Sequence, residues 1–321
     1  MQKEIKTLPV QIKKALQISE DIEIDSGSLS NIVIDGMGGS GIAGDIFKNL
    51  YSGPIPIYVN KNDQLPAIAG DNTLLISISY SGDTEETLST LKEAIKKNIV
   101  TLVISSGGKI IDMCDKYEIP LCKIPGEMEP RSAVGYLTFS LLGIMENSNI
   151  LSGVSKSARN LIAMLEDPDM CFQEAAEQLA KKMKGKIPVI FSPHEYSSLS
   201  YRWKTQINEN SKQFAYANVY PEIFHNELEG FECSGNSAYV VFLKDPDAKN
   251  QYSKQLDFLK KTLAKKDIPF SEIEMIGDSN IEKMFTSIHL GDWISYYLGI
   301  KNGVDIKDIK KVNLIEGMKR S

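Results

Sequence analysis

Short apolar runs alternate with helical segments along this 321-residue chain, and this alternation is the feature that most limits its possible folds. In the first half, five such runs occur at 31–36, 56–60, 73–79, 99–105 and 119–124. They are rich in Ile, Val and Leu, and the stretches between them carry apolar residues at helical spacing. Buried strands that alternate with helices predict a parallel sheet covered by helices on both faces.

The same alternation begins again in the second half. After a mainly helical stretch at 150–183, apolar runs occur at 187–192, 213–219, 238–244 and 270–276. A length of 321 residues is comfortable for two domains of about 150 residues each. We therefore expect an α/β protein with two three-layer αβα domains, at 1–150 and 151–321, each built on a mainly parallel sheet.

The composition argues against several classes of function. A net charge of −6 gives no general basic surface for binding nucleic acid or an acidic membrane. The four cysteines and three histidines show no spacing typical of a metal site or a disulfide framework. The first 16 residues are amphipathic rather than signal-like, and no apolar run reaches about 18 residues. We expect a cytoplasmic protein with no metal site, no nucleic-acid partner and no membrane partner.

A glycine-rich turn, Gly36-Met37-Gly38-Gly39-Ser40-Gly41, follows the first apolar run and leads into a helical segment. Its glycines fit the GxGxxG pattern of dinucleotide-binding folds, and Asp63 could serve as the acid that binds ribose. A tight strand-to-helix turn that needs glycine produces the same pattern, so this signal alone is weak. The loop is not a Walker A motif, because no Gly-Lys-Ser/Thr follows.

A second loop, Ser79-Tyr80-Ser81-Gly82-Asp83-Thr84, places three hydroxyl side chains around a glycine at a helix start. Such hydroxyls can simply cap the helix. However, Ser40 and the segment 105–108 also follow strands, and the carboxyl ends of parallel strands share one edge of a sheet. Hydroxyls and helix N-termini together form a favourable site for a phosphate group.

The segments GMGGSGIAGD and ISYSGDTEETL closely resemble the sugar isomerase (SIS) domain, which binds the phosphate of phosphosugars. The resemblance implies that hydroxyls and backbone amides in these two loops hold a substrate phosphate. The implied phosphate-binding residues are Gly38, Gly39, Ser40, Ser79, Ser81 and Thr84.

Three further segments, EPRSAVGY, RWKTQINENSK and FHNE, are similar to those of the bifunctional phosphoglucose/phosphomannose isomerase family, whose members contain two SIS domains. Taken singly, Arg131, Glu209 and His225 could be ordinary surface or loop residues. The resemblance implies that Glu209 moves the C1/C2 proton of a hexose 6-phosphate, that His225 opens the sugar ring, and that Arg131 stabilises the enediolate. It implies no metal or redox cofactor.

The family also carries a lysine near its C-terminus that contributes to ring opening. An ungapped alignment from Asp305 places Glu316 at this position, whereas one extra helical turn places Lys319 there. We favour Lys319, because a carboxylate cannot act as a cationic proton donor. The resemblance further implies a homodimer in which the histidine reaches the partner's active site.

Two alternatives of different kinds remain at this point. A non-catalytic SIS-domain sensor of phosphosugars usually carries a DNA-binding or partner domain, and the sequence has no basic helical segment for one. An SIS isomerase for an amino sugar or a heptose phosphate is the other alternative. Only the RWKTQINEN and FHNE resemblances argue against it.

Overall fold

A computed structural model describes residues 1–233, 237–248, 251–316 and 318, which form two compact units. The first unit comprises Lys6–Pro168 and Gly277–Phe285. The second unit comprises Met1–Ile5, Asp169–Ile276 and Thr286–Ser321. No helix within the described ranges combines the length and apolar character that crossing a bilayer requires.

Five parallel strands form the sheet of the first unit, in the spatial order β2-β1-β3-β4-β5. The strands are β1 Asn31–Asp35, β2 Ile57–Asn60, β3 Thr73–Ser79, β4 Val100–Ser105 and β5 Leu121–Lys123. The helices that precede Pro168 are α1 Gln2–Lys6, α2 Leu8–Ser19, α3 Gly38–Leu50, α4 Glu85–Lys96, α5 Lys109–Tyr117, α6 Val134–Asn147 and α7 Val154–Glu166.

Every residue of β1 and β3 is buried, and both strands are predominantly apolar, as expected for strands covered on both faces. On one face, Val33 packs with Leu75 and with Ala94 of α4. On the other face lies α3, whose Gly44 approaches Ile34 so closely that an added Cβ would be 2.9 Å from Ile34 Cγ2. The sheet therefore forms the middle of three layers.

Four parallel strands form the sheet of the second unit, in the order β7-β6-β8-β9. The strands are β6 Ile187–Pro193, β7 Tyr216–Tyr220, β8 Ala238–Lys244 and β9 Phe270–Glu274. The helices that follow Pro168 are α8 Phe172–Met183, α9 Ser197–Ser211, α10 Glu227–Gly230, α11 Ser253–Lys265, α12 Asn280–Asn302 and α13 Lys310–Glu316. One core cluster joins β6 and β8 to Leu259 and Leu263 of α11, while α9 packs against β6 and β7.

The predicted fold class, α/β with two parallel sheets, is confirmed. Pro130 begins a 3-10 turn, Pro130–Ser132, and helix α6 starts at Val134. Helix α7 packs against α2 and α6, so the first compact unit extends to Pro168. The division into SIS domains at 1–150 and 151–321 stays a prediction.

Candidate functional site

Three loops lie side by side at the carboxyl edge of the first sheet. They follow β1, β3 and β4, which are neighbours in the sheet, and Ser79 at the end of β3 is aligned with Ser105 at the end of β4. This edge is where ligands bind in open α/β sheets. The sequence-predicted hydroxyls of these loops are therefore brought together.

The loop after β1 is fastened to the loop after β3 by Ser40. This serine is buried at the start of α3, and its Oγ accepts a hydrogen bond from the Tyr80 backbone N–H at 3.0 Å. Gly36 lies so close to β3 that an added Cβ would be 2.8 Å from the Ile78 carbonyl oxygen. The close approach aligns the N-terminus of α3 with the end of β3.

The loop after β3 is organised by its own hydroxyls. Ser79 Oγ accepts a hydrogen bond from the Gly82 N–H at 3.1 Å and donates to Thr84 Oγ1 at 3.2 Å. Ser81 is exposed, and its Oγ accepts from the Asp83 N–H at 3.3 Å. Thr84 is the residue that precedes α4, so this loop also ends at a helix N-terminus. Hydroxyl groups and the first backbone amides of α4 thus lie close together at the end of β3.

Two glycines explain how the loops after β3 and β4 come so close. Gly82 and Gly108 have φ angles of +75° and +73°, which favour glycine. A Cβ on Gly82 would overlap the Gly107 carbonyl oxygen, and a Cβ on Gly108 would overlap the Ser81 carbonyl oxygen. The Lys109 N–H donates to Asp83 Oδ1 at 3.1 Å across the same contact.

Arg131 lies beside the loop after β1. Its side chain is 4% exposed, and its Nη1 donates to Glu129 Oε2 at 3.1 Å. The turn that carries it touches α3, because a Cβ added to Gly39 would be 2.8 Å from the Pro130 carbonyl oxygen. The first unit therefore groups the predicted phosphate-binding loops with one buried cation.

Glu209 lies in the last turn of α9 in the second unit and is partly exposed. Buried polar contacts tie α9 to α12. Arg202 Nη2 donates to both carboxylate oxygens of Asp292 at 2.9 Å, Trp203 Nε1 donates to the Ser287 carbonyl at 2.9 Å, and Asn210 Nδ2 donates to Ser295 Oγ at 2.9 Å. These bonds fix the position of the helix end that presents Glu209.

His225 is the exposed last residue of a 3-10 segment, Glu222–His225, that follows β7. Ile223 of this segment is fully buried in the core of the second unit, and Phe224 packs against that core. Two residues after the histidine, Glu227 Oε1 accepts hydrogen bonds from Tyr216 Oη, at 2.8 Å, and from Asn218 Nδ2. The histidine therefore lies between two anchored residues.

Comparisons with known proteins show which family this chain belongs to. A family model described as the bacterial phospho-glucose isomerase C-terminal SIS domain matches residues 172–318. The bifunctional phosphoglucose/phosphomannose isomerase of Thermoplasma acidophilum is 36% identical over 319 residues, covering 99% of this chain and 96% of that protein. The chain belongs to the bifunctional phosphoglucose/phosphomannose isomerase family.

The bifunctional phosphoglucose/phosphomannose isomerase of Caldicellulosiruptor bescii is 32% identical, and the alignment covers 96% of each chain. A solved structure, the C-terminal domain of glucosamine-fructose-6-phosphate aminotransferase from Francisella tularensis, superposes with a TM-score of 0.74 at 20% identity. It covers 95% of this chain and 97% of that one, and it supports the fold alone. The resemblance to the bifunctional phosphoglucose/phosphomannose isomerase family is thereby confirmed.

One predicted site residue, Lys319, lies outside the described residues, and so does the side chain of its alternative, Glu316.

Sequence reasoning missed Asp35, the last residue of β1. Burial raises the pKa of this carboxyl to about 7, although Asn60 Nδ2 donates to its Oδ1 at 2.7 Å. Its Oδ2 has no hydrogen-bond partner among the described residues. The sequence feature that could have identified Asp35 is its place at the end of a mainly apolar strand.

Proposed function

We propose that this protein is an aldose–ketose isomerase that interconverts glucose 6-phosphate and mannose 6-phosphate with fructose 6-phosphate. The observation that carries the proposal is similarity over 99% of the chain to a bifunctional phosphoglucose/phosphomannose isomerase. The geometry of the first unit supports the same substrate class, because it groups hydroxyls, helix N-termini and a buried arginine at one sheet edge.

The substrate phosphate binds in the loops after β1 and β3. The hydroxyls that hold it are those of Ser40, Ser79, Ser81 and Thr84. The Gly38 and Gly39 amides add two donors, because the first N–H groups of a helix have no acceptor in a preceding turn. Phosphate oxygens then accept hydrogen bonds at the positive end of α3, which favours a dianion.

Glu209 is the base of the isomerisation. It removes the C2 proton of the open-chain aldose, which gives a cis-enediolate, and protonation of this intermediate at C1 gives the ketose. The buried contacts between α9 and α12 support this role, since a proton-transfer group must keep its position during turnover.

His225 and Arg131 assist the two steps that need charge or proton movement. His225 transfers a proton to the ring oxygen as the cyclic sugar opens. Arg131 stabilises the negative charge that develops on the enediolate oxygens. Its burial supports this, because a charge screened from water acts more strongly on a nearby anion.

A single enediolate accounts for both aldose substrates. Reprotonation at C2 yields glucose 6-phosphate from one face and mannose 6-phosphate after rotation about the C2–C3 bond. One base therefore serves both reactions. We further propose that Lys319 contributes to ring opening, and that the protein acts in the cytoplasm as a homodimer on hexose phosphates of glycolysis and gluconeogenesis.

A coupled assay tests the proposal. Purified protein supplied with fructose 6-phosphate should form glucose 6-phosphate, detected as NADPH by glucose-6-phosphate dehydrogenase, and mannose 6-phosphate should give the same signal. Binding of fructose 6-phosphate without any turnover would favour a phosphosugar sensor. Turnover of an amino sugar or heptose phosphate, with neither hexose phosphate converted, would favour a different SIS isomerase.

A further inference from the structure

The segment that presents His225 is anchored strongly on one side of the histidine. Ile223 is fully buried, and the Phe224 ring lies 6.4 Å from the Tyr220 ring and 6.0 Å from the Tyr252 ring, measured between centroids. These apolar contacts fix the position of the backbone immediately before His225. The histidine itself is exposed and is followed by the short helix α10.

The anchor on the other side is a single carboxylate. Glu227 Oε1 accepts hydrogen bonds from both Tyr216 Oη and Asn218 Nδ2. Tyr216 and Asn218 are two residues apart on β7, so their side chains point to the same face of the sheet. The end strand of the sheet thus offers two donors to one acceptor on the His225 segment.

The second oxygen of the Glu227 carboxylate is unusual for a residue whose role is purely structural. Glu227 Oε2 is buried and has no hydrogen-bond partner among the described residues. Leaving a buried acceptor unpaired costs stability, and an apolar residue would anchor the segment without that cost. Groups that break this rule are concentrated at functional sites.

We infer that Glu227 is a positioning residue for His225, holding the ring-opening histidine in place through its bonds to Tyr216 and Asn218. The inference rests on the proposed function, in which His225 moves a proton to the ring oxygen. Because proton transfer depends on placement within a fraction of an ångström, loosening this anchor slows turnover more than it weakens substrate binding.

A double-mutant cycle tests the inference with fructose 6-phosphate as substrate. E227A should lower kcat roughly ten- to a hundredfold, as expected for a misplaced catalytic group, with KM changed less than about threefold. In an H225A background, assayed at high protein concentration, E227A should have no further effect on kcat. E229A is the matched control, because Glu229 lies on the same short helix and is exposed, and it should match the wild type.

The outcomes separate the inference from the proposed function. If H225A loses activity but E227A leaves kcat unchanged, or lowers it equally in both backgrounds, the positioning role is wrong and the isomerase assignment stands. If H225A retains full activity, the role of His225 fails and the inference fails with it.

Should E227A not fold, Y216F removes one of the two donors to an intact Glu227. Y216F should lower kcat severalfold in the wild type and leave kcat unchanged in H225A; equal losses overturn the inference.

Discussion

Gly39, at the start of α3, lies against the backbone of the turn that carries Arg131. A Cβ on Gly39 would be 3.2 Å from the Arg131 backbone nitrogen and 2.8 Å from the Pro130 carbonyl oxygen. The proposed phosphate-binding loop and the proposed enediolate-stabilising arginine therefore share a contact that only glycine permits without displacement. We therefore expect a displacement of the α3 N-terminus to displace the turn that carries Arg131.

G39A should impair both binding and chemistry, because the added methyl group must push the α3 N-terminus away from the Arg131 turn. We expect kcat/KM to fall on the order of a hundredfold, with both a higher KM and a lower kcat. Steady-state kinetics on fructose 6-phosphate measure this. G70A is the control, since nothing lies within 4 Å of a Cβ at Gly70. Equal kinetics for the two variants would show that the contact is unimportant.

S79A should weaken substrate binding. It removes a hydroxyl proposed to bind the phosphate and also the acceptor of the Gly82 N–H. A hydrogen bond to a charged group contributes about 1.5–3 kcal/mol, so KM for fructose 6-phosphate should rise roughly ten- to a hundredfold. S77A deletes a buried hydroxyl of the same strand that has no hydrogen-bond partner in the described part of the chain. A KM increase in S77A as large as that in S79A would refute phosphate binding by Ser79.

Asp35 should make stability depend on pH. Burial raises the pKa of this carboxyl from 3.8 to about 7, against smaller opposing effects of its hydrogen bonds to Asn60 and Thr90. Between these two values the folded chain retains a proton that the unfolded chain has lost, so stability falls as the pH rises through this window. D35N removes the ionisation and keeps an acceptor for Asn60.

The expected result is a pH-dependent difference between D35N and the wild type. The unfolding free energy of D35N, relative to the wild type, should increase by about 3 kcal/mol between pH 5 and pH 8, because each pH unit within the window contributes at most about 1.36 kcal/mol. Urea unfolding at both pH values measures it. Parallel pH profiles for the two proteins would mean that the Asp35 carboxyl is ionised throughout this range.

E209Q should abolish proton transfer and spare binding. Glutamine has nearly the same shape as glutamate but cannot accept the C2 proton, so kcat should fall by about 10²- to 10⁴-fold. Competitive inhibition by a sugar-phosphate analogue should persist. E274Q is the control, because Glu274 is a 70% exposed carboxyl of the same unit. Loss of analogue binding in E209Q would instead assign Glu209 a structural role.

Much of the fold could be predicted from local sequence pattern. The strands β3 and β8 coincide with the predicted runs at 73–79 and 238–244, because strands buried on both faces are predominantly apolar. The predicted run at 213–219 begins too early. Gln213 instead uses its side chain to bond the Met183 and Lys186 carbonyls, and β7 starts at Tyr216.

The candidate site could be predicted only where strand ends bring residues together. Ser40 and Ser79 follow neighbouring parallel strands, so their proximity follows from topology. The contact between Gly39 and Arg131, and the two donors on β7 that hold Glu227, depend on tertiary packing. The raised pKa of Asp35 likewise depends on burial by distant segments, which a single sequence does not reveal.

The most direct test of the proposed isomerisation is ¹H NMR of fructose 6-phosphate incubated with the protein in D₂O. The enediolate route predicts exchange of one C1 hydrogen for deuterium and new anomeric signals of glucose 6-phosphate and mannose 6-phosphate that carry deuterium at C2. A spectrum that stays unchanged, with no exchange at C1 and no aldose phosphate, would contradict it.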